Sequence, residues 1–344
     1  MEENIKLYMN QLVKEDVFPG VCYAFFYKDY FFVGCVGNRS LVPKKEKNTV
    51  NTIYDIASLT KLTVVNPLIS LAIQNKEIDV NDSLQKYFPE FPFPNVTIFH
   101  LITHSSGLYA RYDKNHVKGK EEILTNLDLP IEPGTNIEYR DVNFLLLGFL
   151  IEKIYASTLD VLAQKYVFEP LNMNETGYLP VHKNRCAPTE VTAKRGIVRG
   201  IVHDEKAAAL GGVAGNAGVF STIEDIAKFV KMIINRGKVA NKQVLSADII
   251  DGWFKPLITD PKGIARGMGW VIGSTIPDTK NFASSNSVFH TGFVGNEILI
   301  DRDHEYAMIL LSNRVHPTRE NNKLIDRRGE INEECYRIIT MEGD

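Results

Sequence analysis

Short segments rich in apolar, aromatic and β-branched residues lie near both ends of the chain, and this composition predicts β-strands. Near the amino end, two such segments separated by a tight turn predict a hairpin. Four further segments follow one another towards the carboxyl end. The predicted strands lie at 21–26, 30–36, 269–273, 287–291, 297–301 and 306–312.

In the middle of the chain, apolar residues recur every three or four positions, the spacing that places them on one face of a helix. A capping sequence at 221–224 and Gly237 mark the two ends of one such helix. Amphipathic helices are also predicted near the chain ends, at 3–13 and 330–340. The other predicted helices lie at 59–74, 97–104, 144–155 and 159–166.

This order of elements predicts an α+β fold. Strands at both ends with helices between them indicate one antiparallel sheet that both termini complete. We therefore predict a sheet lobe flanked by helices from 1–56 and 238–344, and an inserted, mostly helical lobe at 57–237. The stretch 177–220 is rich in Gly, Pro and polar residues, and a loop of that length is typical of a wall or lid around a functional site.

Composition indicates an ordinary globular chain. Its 344 residues, 44% hydrophobic and 24% charged, can bury a large core, and a net charge of −3 disfavours a nucleic-acid partner. The first eight residues have neither a basic nor an apolar signal region, and no run reaches the roughly 18 apolar residues of a membrane span. We expect a cytoplasmic protein without a transmembrane segment, unless an export signal has been removed.

Cysteine and histidine spacing predicts neither a metal site nor a cofactor. Cys22 and Cys35 would face each other across the hairpin, and we expect them, like Cys186 and Cys335, to be reduced packing residues. The glycine-rich stretch 211–218 lacks the ending of a phosphate-binding loop. We interpret the neighbouring polar triplet at 203–205 as a structural loop contact.

Ser58 and Lys61 are the first candidate catalytic pair. Residues three apart on a helix have Cβ atoms roughly 5–6 Å apart, so the lysine amine can reach the serine hydroxyl. A serine hydroxyl is a weak nucleophile and needs a nearby base. If Ser58 lies in the first turn, backbone N–H groups and the helix dipole also point towards a developing oxyanion.

Two later motifs complete a recognisable order. Tyr139-Arg140-Asp141 follows a Pro-Gly turn and precedes an apolar helix, and His290-Thr291-Gly292 lies on a predicted strand. In the order S-x-x-K, Y-x-[ND] and [KH]-T-G, the chain resembles the superfamily of serine β-lactamases and penicillin-binding D,D-peptidases. It is most similar to the class C β-lactamase-like branch, which also contains D,D-carboxypeptidases, D-aminopeptidases and esterases. The segments 101–108 and 211–222 resemble further motifs of that branch.

The resemblance implies a role for each motif residue. Ser58 would be the nucleophile, and Lys61 or Tyr139 would act as the base, two alternatives that the sequence leaves open. The backbone N–H groups of Ser58 and Phe293 would form the oxyanion hole. The residues expected to contact substrate are Asp141, Asn143, His290, Thr291 and Gly292.

The chain departs from the usual lactamase pattern at two of these positions. Asp141 replaces an asparagine, and an ionised carboxylate cannot donate a hydrogen bond, so Asn143 would have to supply the missing amide. Asp141 would also hold Lys61 charged. His290 replaces a lysine, and with a reference pKa near 6.5 the imidazole would be a pH-dependent cation. Both changes favour an esterase or a peptidase over an efficient β-lactamase.

We therefore predict a metal-independent serine hydrolase that forms an acyl-enzyme with small esters or amides, including D-amino-acid peptides and β-lactams. The first alternative is a slow penicillin-binding or muropeptide-sensing protein that is acylated without turnover. A catalytically inactive scaffold is disfavoured because Ser58, Lys61 and Tyr139 are all retained. The expected partner is a small molecule, and the choice between monomer and homodimer stays open.

Overall fold

The predicted strands from the two ends of the chain join in one large sheet in the computed structural model, which describes residues 1–343. Two long strands form the amino-terminal hairpin, and shorter strands lie in the middle of the chain. The strands are β1 Gly20–Tyr27, β2 Tyr30–Ser40, β3 Glu46–Lys47, β4 Tyr54–Asp55, β5 Tyr109–Ala110, β6 Leu127–Asp128, β7 Gly177–Tyr178, β8 Val191–Thr192, β9 Gly196–Ile197, β10 Val219–Ser221, β11 Lys238–Val239, β12 Lys242–Gln243, β13 Ile258–Thr259, β14 Ala265–Arg266, β15 Val271–Ile272, β16 Ser287–Gly292, β17 Asn296–Asp301 and β18 Tyr306–Ser312.

Helices lie at both chain ends and through the middle of the chain. Most of the apolar residues of the internal helices are buried in one large cluster. The helices are α1 Glu2–Lys14, α2 Asn66–Gln74, α3 Ile98–Ile102, α4 Lys120–Thr125, α5 Asp141–Tyr155, α6 Leu159–Ala163, α7 Glu205–Ala209, α8 Ile223–Ile234, α9 Ala247–Trp253 and α10 Lys323–Gly343.

The large sheet has nine strands in the order β13-β14-β15-β16-β17-β18-β1-β2-β3, and its paired strands are antiparallel. Strand β1 lies directly beside β18, with Val21 opposite Ser312 and Tyr27 opposite Tyr306. Strands from the two ends of the chain therefore complete one sheet, and the predicted α+β class is confirmed. The lobe boundaries at 56/57 and 237/238 stay a prediction.

Helices cover both faces of the sheet centre. Strand β1 is buried along its whole length, because α10 contacts it and α8 packs against both β1 and β18. Helix α1 packs on β2 and α10. The apolar side chains buried between the sheet and these helices stabilise the sheet, because buried apolar surface contributes roughly 25 cal/mol per Å². The sheet therefore forms a rigid support for the segment at the end of β16.

The helix predicted at 59–74 is built in three pieces. A 3₁₀ turn at Ala57–Leu59 leads into a π-helical segment at Lys61–Val65, which continues as α2. Single π-turns of this kind are frequent at functional sites. A smaller difference concerns the stretch 177–220, expected as a loop, within which the short strands β7, β8 and β9 and the helix α7 form.

The length and polarity of the helices also bear on membrane insertion. Within residues 1–343, the helices are too short or too polar to cross a lipid bilayer.

Candidate active site

Ser58 lies in a turn that is fixed from several sides. The residue before it, Ala57, has a left-handed backbone with φ +47°, which is uncommon for a residue other than glycine. The buried Asp55 carboxylate accepts hydrogen bonds from the N–H groups of Ala57 (2.8 Å) and His203 (2.7 Å). The side-chain amide of Asn296, on β17, donates to the Asp55 carbonyl at 2.8 Å. These bonds anchor the turn to the sheet and to the loop before α7.

Lys61 is completely buried beneath Ser58. Its Nζ donates to Ser58 Oγ at 3.0 Å, to Asp141 Oδ1 at 2.8 Å and to the Asn216 carbonyl at 2.9 Å. These contacts use all three N–H bonds of an ammonium group. The predicted Ser58–Lys61 juxtaposition is therefore present, one helical turn apart.

The charges around Lys61 favour its protonated form. Burial lowers the pKa of Lys61, but the charge of Asp141, the Tyr139 phenol and the hydrogen bond with Asp141 outweigh it and raise the pKa above 10.5. Burial acts in the opposite sense on Asp141, and the two neighbouring cations, Lys61 and Lys206, hold its pKa well below the usual range. The pair is an ammonium and a carboxylate at neutral pH.

A second lysine, which the sequence reasoning missed, contacts the same carboxylate. Lys206 Nζ lies 3.0 Å from Asp141 Oδ2 and 2.9 Å from Asp204 Oδ2. The side-chain amide of Asn216 donates to Asp204 Oδ1 at 2.9 Å, and the Asn216 carbonyl accepts from Lys61. We call this closed chain of contacts through Lys61, Asp141, Lys206, Asp204 and Asn216 the charge ring.

The triplet 203–205, interpreted from sequence as a structural loop contact, therefore supplies one member of the charge ring. Asp204 also accepts from the Ala207 N–H at 2.9 Å and so caps α7. Its structural and electrostatic roles coincide. Charge spacing alone could not reveal the ring, because Lys206 and Asp141 come from different elements.

Tyr139 lies over the charge ring and is held by His104. The ring centroids of the two residues are 4.5 Å apart, and Lys61 Nζ lies 5.0 Å from the Tyr139 centroid. His104 Nδ1 accepts from the Arg140 N–H (3.2 Å) and from the Asn143 amide (3.1 Å). Burial keeps the pKa of His104 well below 6.5, so the imidazole is a neutral acceptor. The motif at 101–108 thus positions Tyr139.

Asn143 lies away from the cleft. Its side chain is fully buried, and besides its contact with His104 it accepts a hydrogen bond from Ser106 Oγ at 2.6 Å. The amide is therefore occupied by the scaffold that holds Tyr139. We do not propose the substrate contact that the sequence suggested for Asn143.

Strand β16 places its motif residues on different sides. His290 is buried, lies 5.8 Å from the Tyr139 ring and donates from Nδ1 to the Thr291 carbonyl at 2.9 Å. Thr291 pairs with Glu297, whereas His290 pairs with Ile298, so their side chains lie on opposite faces of the sheet. The substrate contacts expected for His290, Thr291 and Gly292 stay a prediction.

The expectation that His290 is a pH-dependent cation is wrong. Burial, with the nearby charges of Arg266 and Lys61, lowers the pKa of His290 to about 3. The imidazole is neutral over the physiological range. The reference value of a solvated histidine misled the sequence reasoning, because the burial of position 290 is a property of the folded cleft.

Gly292 and Phe293 bring the end of β16 to Ser58. A Cβ atom at Gly292 would lie 2.7 Å from the Ile56 carbonyl oxygen, so only glycine allows this close approach of strand and turn. Phe293 follows at the cleft mouth, 49% exposed, with its ring stacked on His203 at 5.6 Å. This approach brings the backbone of Phe293 towards Ser58, as an oxyanion hole requires.

Four of the predicted residues line one cavity of about 240 Å³: Ser58, Tyr139, Asp141 and Phe293. His203, Asp204, Glu205 and Lys206 from the loop before α7 and its first residues form another part of its wall. Lys114 and Arg319 also contribute. The site is thus a polar cleft between the end of β16, the Ser58 turn and the glycine-rich loop region.

Arg266, on β14, is the second residue that sequence reasoning missed. Its guanidinium carbon lies 5.6 Å from the centroid of the Tyr139 ring. The Nε and Nη1 atoms are buried and have no hydrogen-bond partner within residues 1–343. Because a buried donor without an acceptor is costly, Arg266 is a candidate for contact with an anionic group.

We also searched the described residues for side chains that could bind a metal ion. In residues 1–343, no group of three or more His, Cys, Asp or Glu side chains is arranged to hold a metal ion.

Comparison with known proteins places this site in a family. The sequence profile of the Beta-lactamase family matches residues 8–333, and the chain belongs to that family. A relative from Salmonella agona (strain SL483), named "Putative D-alanyl-D-alanine carboxypeptidase", is 30% identical over 316 residues, which cover 80% of this chain and 72% of the relative. The resemblance drawn from the three motifs is confirmed.

Two solved structures show the same fold. The octameric penicillin-binding protein homologue from Pyrococcus abyssi aligns with a TM-score of 0.73 at 21% identity, covering 94% of this chain and 76% of the other. EstCE1, a hydrolase with promiscuous acyltransferase activity, aligns with a TM-score of 0.76 at 16% identity, covering 94% and 98%. The two structures show the fold, and the family match with its 30%-identical relative identifies the chain as a serine hydrolase.

Proposed function

We propose that this chain is a D,D-carboxypeptidase-like hydrolase that cleaves peptides ending in a D-amino acid through an acyl-enzyme on Ser58. Small esters and β-lactams would acylate the same serine. The observation that carries the proposal is the contact of Ser58 Oγ with the buried Lys61 ammonium at 3.0 Å, in a cavity that Tyr139 also lines. The name of the Salmonella relative supports the peptide substrate.

The proposed reaction begins with attack of Ser58 Oγ on the substrate carbonyl. Because the raised pKa of Lys61 keeps it protonated, it cannot accept the serine proton, and we assign that step to Tyr139. Tyr139 would accept the proton as a phenolate that the Lys61 ammonium stabilises, and would so become the neutral phenol. The backbone N–H groups of Ser58 and Phe293 would stabilise the oxyanion. Collapse of the tetrahedral intermediate forms the Ser58 ester, while the departing amine takes a proton from Tyr139. Water then hydrolyses the ester.

Arg266 supports a substrate with a carboxylate. With His290 neutral, the cation that remains beside Tyr139 on the sheet side is the guanidinium of Arg266, two of whose nitrogen atoms lack partners. A guanidinium pairs well with a carboxylate through parallel hydrogen bonds. The terminal carboxylate of a D-amino-acid peptide would supply that acceptor, whereas a neutral ester would not.

Intact-protein mass spectrometry tests the proposal. The full chain is incubated with a D-Ala-D-Ala peptide, a cephalosporin and a chromogenic ester, and the mass added to Ser58 is followed over time. We expect a transient adduct that Ser58→Ala abolishes and that Ser157→Ala, in the loop after α5, leaves intact. An adduct that persists at one equivalent would indicate the slow penicillin-binding alternative. Hydrolysis retained by Ser58→Ala would refute the assignment of the nucleophile.

A further inference from the structure

We propose that Lys206, held by Asp204, is a positioning residue that shares Asp141 with Lys61 and thereby sets the pH range in which Ser58 is acylated. The inference rests on the proposed function. It concerns a residue that lies outside the three catalytic motifs and acts through its neighbours in the charge ring.

The geometry gives each oxygen of Asp141 its own cation. Oδ1 lies 2.8 Å from Lys61 Nζ, and Oδ2 lies 3.0 Å from Lys206 Nζ. Asp204 holds Lys206 at 2.9 Å. The ring contains two ammonium groups and two carboxylates, so its charges balance without a bound ion.

The charge ring also fixes the position of Asp141 relative to Lys61. Asn216 connects its two ends, because its amide donates to Asp204 and its carbonyl accepts from Lys61. Lys206 is largely buried, with 14% of its side chain exposed. A lysine that is buried and held by two carboxylates has lost most of its conformational freedom, so it holds Asp141 at a defined distance from Lys61.

Other titratable groups that face the ring do not change charge near neutral pH. Burial keeps the imidazoles of His104 and His290 neutral by lowering their pKa values, and it raises the pKa of the Tyr112 phenol. Arg266 stays cationic on the sheet side. Tyr139 contacts the ring from above, and Lys114 lines the same cavity.

Across the cavity, the remaining charges pair among themselves. Arg319 contacts Glu190 and Glu205, and His203 contacts Glu190 at 3.1 Å. Because these charges compensate one another, their electrostatic effect on the charge ring is small. This leaves Lys206 as the ion-paired cation placed to moderate the effect of Asp141 on Lys61.

The sign of the effect follows from electrostatics. Without Lys206, the negative charge of Asp141 acts on Lys61 with less compensation, and one positive charge is lost from the site. Both changes disfavour the phenolate form of Tyr139, the base assigned to the activation of Ser58. The alkaline shift expected for loss of one nearby cation is about one pH unit, which corresponds to roughly a tenfold lower rate below the midpoint.

The experiment compares the pH dependence of the Ser58 acylation rate in the full chain, measured by stopped flow with a chromogenic cephalosporin. Lys206→Met should move the midpoint to higher pH, and Lys206→Arg, which keeps the charge, should restore it. Lys228→Met, which removes a lysine paired with Asp225 on α8 (2.7 Å), serves as the matched control and should leave the midpoint unchanged.

A double variant protects the test from misfolding. Lys206→Met combined with Asp204→Asn removes both members of this ion pair. Because one negative charge is lost together with the positive one, the variant should show an alkaline shift that is smaller than that of Lys206→Met alone. An unchanged midpoint in both folded variants would overturn the positioning role. Absence of any Ser58 adduct in the wild-type chain would overturn the proposed function as well, so the two failures are distinguishable.

Discussion

Within the described part of the chain, buried charges are paired on one side of the cleft, beneath Ser58, and unpaired on the other side, near the sheet. Beneath Ser58, each charged group of the charge ring has an oppositely charged neighbour, from Lys61 through Asp141 to Lys206 and Asp204. On the sheet side, two buried nitrogen atoms of Arg266 have no hydrogen-bond partner among residues 1–343, and the neighbouring His104 and His290 are neutral.

This difference suits the charge ring to the reaction and the Arg266 side to recognition of a substrate anion. A paired and buried network is preorganised, because its groups need not move or recruit water when charge develops on the substrate. A buried cation without a partner costs free energy in the empty protein, and a substrate anion can relieve that cost on binding. The charge ring is therefore preorganised for the reaction, whereas in the proposed function the substrate carboxylate would pair with Arg266.

The largest expected effect concerns the paired side. Replacing Lys61 with Met removes the ammonium that Ser58, Asp141 and Asn216 share, and we expect acylation to slow by roughly 10²–10⁴-fold, the usual contribution of acid–base assistance. Single-turnover mass spectrometry measures this rate. The variant also leaves Asp141 with one cation fewer, so thermal unfolding must show that it still folds. A Lys61→Met chain acylated at the wild-type rate would contradict the proposed role of the ring.

The second prediction concerns the unpaired side. Arg266→Leu should raise KM for a D-Ala-D-Ala peptide by about 10–100-fold, the worth of a lost hydrogen bond to a charged group. A neutral ester should be affected much less. Because the guanidinium has unpartnered buried atoms in the free protein, the same variant should keep or increase thermal stability. Parallel kinetics with both substrates and a melting curve measure the three quantities.

Arg266→Lys serves as the matched variant for this prediction. It retains a cation but loses the planar pair of donors, so we expect KM for the peptide to lie between the wild-type and Arg266→Leu values. If peptide and ester lose activity equally in Arg266→Leu, then Arg266 supports the Tyr139 loop and does not bind a carboxylate.

The same division explains how far the sequence could predict this molecule. Local features could be predicted: apolar and β-branched segments marked β16 to β18, and a spacing of three residues brought Lys61 to Ser58. Lys206 and Arg266 could not be predicted, because only the packing of distant segments brings Lys206 to Asp141 and Arg266 to Tyr139. No spacing rule connects them to Ser58.

The expectations for Asn143 and His290 failed for the same physical reason. From sequence, Asn143 looked like a free amide and His290 like a solvated imidazole. Both are buried, and burial changed their chemistry: hydrogen bonds to His104 and Ser106 occupy Asn143, and desolvation neutralises His290. Residue type determined what these groups could do, but their surroundings determined what they do.

The third prediction tests how closely the two sides must approach. Gly292→Ala would place a Cβ atom 2.7 Å from the Ile56 carbonyl, so β16 or the Ser58 turn must shift. We expect a destabilisation of about 1–3 kcal/mol, the usual cost of overpacking, together with slower acylation. Chemical denaturation and single-turnover kinetics measure the two effects.

Gly177→Ala is the matched control, because no atom lies within 4 Å of the added Cβ and the backbone of Gly177 is compatible with alanine. It should leave both stability and acylation close to wild type. Equal behaviour of the two alanine variants would show that the contact of β16 with the Ser58 turn tolerates a wider gap than the structure indicates.

The smallest expected effect is the pH dependence of stability that His290 contributes. Its pKa is lowered from 6.5 to about 3 in the folded chain, so the unfolded chain binds the proton first as the pH falls. Stability from the neutral imidazole is therefore complete above pH 6.5 and is progressively lost as the pH falls towards 3. Between pH 6.5 and 5, this loss is at most about 2 kcal/mol. Melting curves at both pH values should show a smaller acid-induced decrease for His290→Gln than for the wild type.

His116→Gln is the control for this last comparison, because the His116 side chain is 68% exposed and lies away from the cavity wall. It should retain the wild-type acid sensitivity. If His290→Gln also retains it, then the imidazole is solvated and chargeable, and the sheet side of the cleft would carry a second, pH-dependent cation beside Arg266. The contrast between a neutral histidine and a permanently charged arginine on that side would then no longer hold.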